Sequence, residues 1–156
     1  MRSVTLAALA TCFPLLAHAQ QLTATELSLG AAAAMARQTF VGAALGVAHR
    51  PSAESRLGLD LAGGSVAGQA AARAQLTLQL LVNPATRTGL GMYAGFGAAF
   101  TARRGAPGQG FLAVLLGVEQ TPGRRQGWYA ELGLAGGVRA AAGWRMRSFP
   151  RWWRAS

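Results

Sequence analysis

The chain is 156 residues long, enough for one domain, and carries fifteen arginines, no lysine and five acids, for a net charge of +10. Half the residues are apolar, yet after residue 19 there is no run of about 18 apolar residues that could cross a bilayer as a helix. The single cysteine, Cys12, leaves neither a disulfide nor a thiolate metal site to the chain beyond it.

Met1-Arg2, the apolar stretch from Val4 to Leu16 and Ala17-His18-Ala19 before Gln20 follow the charge, apolar core and small-residue order of a cleaved secretory signal. Two units are therefore expected, a signal peptide over 1–19 and one mature domain over 20–156, exported by the Sec pathway. Leu9-Ala10-Thr11-Cys12 is a poor lipoprotein box, because Thr precedes the cysteine and the apolar core before it is short. For an exported chain, the anionic partner that this arginine excess would meet is lipid phosphate; nucleic acid is not expected.

Turn residues divide the mature chain into eight segments near 25–36, 38–50, 54–66, 68–82, 88–103, 109–121, 126–136 and 138–148. Each reaches the length a tilted strand needs to cross a membrane, about 9–11 residues. The first two, rich in Ala and Gly, fit either face of a strand, and the first, LSLGAAAAMA, could equally be a helix by propensity. In the third, Leu57, Leu59 and Leu61 alternate with Arg56, Gly58 and Asp60; in the fourth, Leu76, Leu78, Leu80 and Val82 alternate with Arg73, Gln75, Thr77 and Gln79. The fifth sets Leu90, Met92, Phe96 and Phe100 against Gly89, Gly91, Tyr93, Gly95 and Gly97. In the seventh, Trp128, Leu132 and Leu134 oppose Tyr129, Glu131 and Gly133, and the eighth sets Val138, Trp144 and Met146 against Arg139, Arg145 and Arg147. A period of two with large apolar groups on one face and charge on the other is what a strand between lipid and a polar lumen requires. An even number of such strands joined by short turns predicts an all-β fold, a single eight-stranded antiparallel up-and-down transmembrane β-barrel. Glycines scattered through the segments allow the curvature of a narrow cylinder.

Glu26, Arg56, Asp60, Arg73, Glu119, Glu131, Arg139, Arg145 and Arg147 are placed inward. Buried charges are costly unless paired, so these residues are expected to form an interior salt-bridge network; a water-filled selective pore is the functional alternative. Glu119 and Glu131 would also serve as an acid/base pair, and His49 with Ser52 and Glu54 contains the group types of a hydrolytic triad, but residues so close along one strand and turn rarely converge. No nucleotide-binding glycine motif occurs, one mature histidine does not make a metal site, and no cofactor is expected. Arginines at turns and tail (Arg50, Arg87, Arg103, Arg104, Arg124, Arg125, Arg151, Arg154) are placed at headgroup level. Tyr93, Trp128, Trp144, Phe149, Trp152 and Trp153 are placed there too, as interfacial aromatics.

The signal, GLGMYAGFGAAFTARR and GFLAVLLGVEQTPGRRQGWYAELGLAGGVRAAAGWRMR together resemble the small eight-stranded outer-membrane barrel proteins, the OmpA-like and OmpX-like class. The resemblance covers roughly Gln20 to Phe149. It implies a bacterial outer-membrane address and contact with outer-membrane lipid and lipopolysaccharide. It also implies insertion by the barrel assembly machinery and a non-enzymatic role in envelope integrity, surface protection or adhesion. The alternatives are a small porin-like pore, a lipid-modifying enzyme dependent on His49, and a soluble periplasmic barrel binding an apolar ligand. The class usually ends on an aromatic residue, whereas this chain continues past Phe149 as PRWWRAS. Either the tail folds over the rim, or the insertion signal is unusual, or the barrel does not span a membrane.

Overall fold

The computed structural model describes residues 22–153; the signal sequence expected over 1–19 and Arg154 lie outside them. Eight strands follow one another, β1 (Ala24–Met35), β2 (Phe40–Arg50), β3 (Ser55–Val66), β4 (Gln69–Val82), β5 (Leu90–Arg103), β6 (Ala106–Gln120), β7 (Gln126–Leu134) and β8 (Val138–Ser148). Each pairs antiparallel with the next, and β8 returns to β1, closing the barrel. Closure pairs the strands around the ring and satisfies their backbone groups without water, except on the β7 side of residues 106–113 in β6.

The alanine-rich β1 is a strand and not a helix, because it pairs with β2 and β8 along nearly its whole length, and that ladder overrides alanine's helical propensity. β3 ends where the sequence places it, and its turn to β4 is made by Ala67 and Gly68, both at positive φ, the two-residue hairpin geometry that matches strand twist. One boundary differs from the sequence expectation. Pro107 and Gly108 belong to β6, which starts at Ala106. Proline is tolerated there because β6 pairs with β7 only over Val114–Glu119, so residues 106–113 run past the end of β7.

Burial alternates along every strand, with an inverted polarity. Leu29, Leu45, Leu59, Leu76, Leu80, Met92, Phe96, Leu116 and Leu132 are all exposed on the outer wall, whereas Glu26, Arg56, Glu119, Glu131, Arg145 and Arg147 are buried inside. The interior apolar residues form small clusters, mostly of alanine. Both chain ends and the turns over 51–54, 83–89 and 121–125 lie at one end of the barrel, and the turns over 36–39, 67–68, 104–105 and 135–137 at the other.

Candidate functional site: an arginine lattice and an open cup

The half of the lumen near the chain ends is filled by ionic side chains converging from six strands. Glu119 on β6 is the hub. Its carboxylate accepts from Arg56 Nη2 at 2.7 and 2.9 Å, Arg145 Nη1 at 2.7 Å, Arg147 Nη2 at 2.8 Å and Arg50 Nη2 at 3.3 Å. Glu26 on β1 is the second carboxylate, paired with Arg50, with Arg56 at 2.9 Å and with Arg145 at 3.5 Å. Arg56 also donates to Gln79 Oε1 at 3.0 Å, and Gln79 donates in turn to Thr77. Bidentate arginine geometry suits this arrangement, since each planar fork bridges the two carboxylates.

A second layer sits toward the middle. Tyr93 donates its hydroxyl to Glu131 at 2.8 Å, and Arg139 pairs with the same carboxylate at 2.7 Å. The Arg145 guanidinium lies between two rings, 5.5 Å from the Tyr93 centroid and 4.5 Å from that of Tyr129, a desolvated cation–π arrangement. Glycine makes room for it: a Cβ at Gly117 would strike the Tyr93 ring, and one at Gly46 would strike the side chains of Asp60 and Ser28.

Several expectations are corrected here. Tyr93 is not an interfacial aromatic; it is buried inside, because its parity on β5 is that of Gly91, Gly95 and Gly97 and its ring fills the space that Gly117 leaves open. Arg50 is not at a headgroup position but fully buried in the lattice. The signal for it was the parity of β2, in which Val41, Leu45 and Val47 point outward and every even position, Arg50 included, points in. Asp60 and Arg73 share the inner face but have no ion-pair partner among the described residues; Asp60 is half-buried beside Gly46, and Arg73 lies farther along the lumen. Gln75, between them, is buried with neither amide atom hydrogen-bonded to protein.

Trp128 and Trp144 are exposed on the outer wall and face each other across β7 and β8. The tail folds over the rim at the chain-end mouth. Trp153 donates its indole N–H to the Gly123 carbonyl at 3.0 Å, packs against Phe149 and Trp152, and lies beneath the Arg87 guanidinium at 4.5 Å. Trp152 beside it is exposed.

His49 points outward from the end of β2 and is exposed. Ser52 bonds Ser55 and Glu54 is exposed, so these three residues do not assemble a relay. Glu119 and Glu131 are both held by arginines, which leaves neither free to exchange a proton with a substrate.

Beyond the alanine layers (Ala32, Ala44 and Ala141; Ala99, Ala113 and Ala135), the lumen widens at the other mouth into a cup of about 630 Å³. Arg73 lies against it, with Phe40, Val66 and Phe111 as apolar wall and Arg37 and Arg103 at the lip.

No family model matches the chain, and no curated protein matches it by sequence. Solved structures do match. The N-terminal β-barrel domain of Pseudomonas aeruginosa OprF superposes with a TM-score of 0.62 at 14% identity, covering 82% of this chain and 98% of that one. Neisserial surface protein A superposes with a TM-score of 0.55 at 13% identity, covering 80% and 96%. At such identities the likeness is one of fold: a small closed barrel of the outer-membrane type.

Proposed function

We propose that the chain is a non-enzymatic barrel of the bacterial outer membrane whose role is structural, serving envelope integrity through a rigid, internally cross-linked wall. The observation that carries this is the inversion of polarity. A wall of exposed leucine, valine, methionine and phenylalanine around a lumen of buried arginine and glutamate is stable only where the outside is itself apolar; a water-soluble chain rarely exposes apolar patches beyond a few hundred Å². The same inversion weighs against a soluble periplasmic barrel that binds an apolar ligand in its core.

Export would follow the signal over 1–19, with insertion by the barrel assembly machinery. The exposed arginines at the two rims, Arg37 and Arg104 at one and Arg124, Arg125 and Arg151 at the other, would meet phosphate on lipopolysaccharide and phospholipid. Turns of two to four residues at the mouth away from the chain ends offer little surface for adhesion. The small-pore reading is weakened by the lattice, whose guanidinium and carboxylate groups fill the chain-end half of the lumen.

The test is cell fractionation followed by gel migration of the detergent-solubilised protein with and without boiling. Faster migration of the unboiled protein, recovered with the outer membrane, is expected; a soluble periplasmic protein with no shift would refute the proposal. Planar bilayers containing the purified protein are expected to show no steady conductance, and discrete open levels would favour the pore.

A further inference from the structure

We propose that the cup at the mouth away from the chain ends binds a single-chain anionic amphiphile, its carboxylate or phosphate head on Arg73 and its apolar chain against Phe40, Val66 and Phe111. Among the described residues, Arg73 is the only buried cation of the lumen with no carboxylate within ion-pair distance. Its residue is 7% exposed. Nη1 donates to Thr101 Oγ1 at 2.9 Å and Nη2 to the Ala135 carbonyl at 2.7 Å, both neutral acceptors, and Nε has no acceptor among the described residues. A buried guanidinium with only neutral partners is costly, and an anion in the cup would relieve it with a charge-assisted hydrogen bond to a remaining Nη proton. Every other buried arginine of the lumen already has a glutamate.

The lining of the cup narrows the ligand further. The charged side chains around it are arginines, Arg37 and Arg103 joining Arg73, and no acidic residue lines it. Phe40 and Val66 are buried in its apolar wall. Because β6 runs past the end of β7 from residue 106 to 113, the wall is notched beside Phe111, and outside the notch stand the exposed Leu112 and Leu134. A free inorganic anion would leave the apolar wall unused and an alkane would leave Arg73 unpaired, whereas an amphiphile satisfies both, and the notch gives its chain a path toward the outer apolar wall.

The protein, refolded in phosphatidylcholine bicelles, would be titrated with dodecanoate, dodecanol and acetate while backbone amide resonances are followed. Dodecanoate is expected to produce saturable shifts at Thr101, Gln109 and Gly136 around the cup and none at Thr25 or Gly127 at the opposite end. Dodecanol and acetate are each expected to bind at least tenfold more weakly. R73Q should weaken dodecanoate at least tenfold, and A34F, which adds a ring at a lining residue of the cup that makes none of Arg73's hydrogen bonds, should abolish the shifts, with heat modifiability retained in both. Equal binding of dodecanol or of acetate, unchanged affinity in R73Q or A34F, or shifts spread evenly along the outer wall would each overturn the proposal. The comparison of the three probes on the unaltered protein needs no variant to fold, and a heat-modifiable barrel that fails it leaves the membrane reading standing.

Discussion

Replacing Glu119 by Gln keeps the side chain's length and one acceptor oxygen, removes the charge and turns the other oxygen into a donor amide facing arginines. Four guanidinium groups reach that carboxylate, three of them within 2.7–2.9 Å; without its charge Glu26 would face Arg50, Arg56 and Arg147 alone and share Arg145 with Glu131, 3.6 Å away. Breaking a buried ion pair by removing one partner costs about 3–5 kcal/mol, because the other charge stays buried without compensation. Since four cations share this anion, the upper part of that range is expected. With a urea slope of about 2 kcal/mol per M, the unfolding midpoint of E119Q in lipid vesicles should fall by roughly 2 M, followed by tryptophan fluorescence and by loss of heat modifiability. Glu54, exposed on the turn after β2, is the control, and E54Q should change stability by less than about 0.5 kcal/mol. Adding R147M to E119Q removes one stranded cation and should recover part of the loss, a coupling that a double-mutant cycle reads directly. A loss below about 1 kcal/mol in E119Q would mean that water or counterions neutralise the arginines and that the lattice is not what fills the lumen.

Other outcomes follow from the same architecture. Q75L should leave the barrel as stable or raise its urea unfolding free energy by about 1–3 kcal/mol, because the buried amide it removes has no protein partner; a clear loss would point to a structured water at Gln75. G117V should cost about 1–3 kcal/mol by overpacking against the Tyr93 ring, and the cost should shrink in a Y93A background, where additivity would refute the contact. L78R, placing a charge on the exposed wall of β4, should destabilise the vesicle-inserted barrel by about 2–4 kcal/mol if it lies near the midplane, while an unchanged unfolding curve would argue that this face does not meet lipid. W153A should release the tail from Gly123 and make residues 149–153 more accessible to protease, with little change in the barrel's own unfolding; an unchanged digestion pattern would refute the stapling role of the indole.

Strand number, antiparallel order and the inside-out polarity were legible in the residues, because a period of two is a local property: Leu76, Leu78 and Leu80 announce their face whatever β4 is paired with. The same rule assigned Arg56, Glu131 and Arg145 to the inner face without a partner in view. It failed where its signal is weak. The alanines and glycines of β1 and β2 have no strong preference for either face, so Arg50 was separated from the parity that would have brought it inside. Tyr93 was assigned by residue type to the interface although its neighbours on β5 had already placed it in the lumen. Which acid meets which arginine depends on register around a closed ring, where Glu119 and Arg56 lie 63 positions apart and approach one another only across the lumen. The sequence by itself determined a barrel with charge inside. Tertiary structure alone decided that Glu119 is the hub of the charge, that Asp60 and Arg73 stand outside it, and that the lumen is filled at one end and open at the other, because side chains from strands far apart in sequence must share one narrow interior volume.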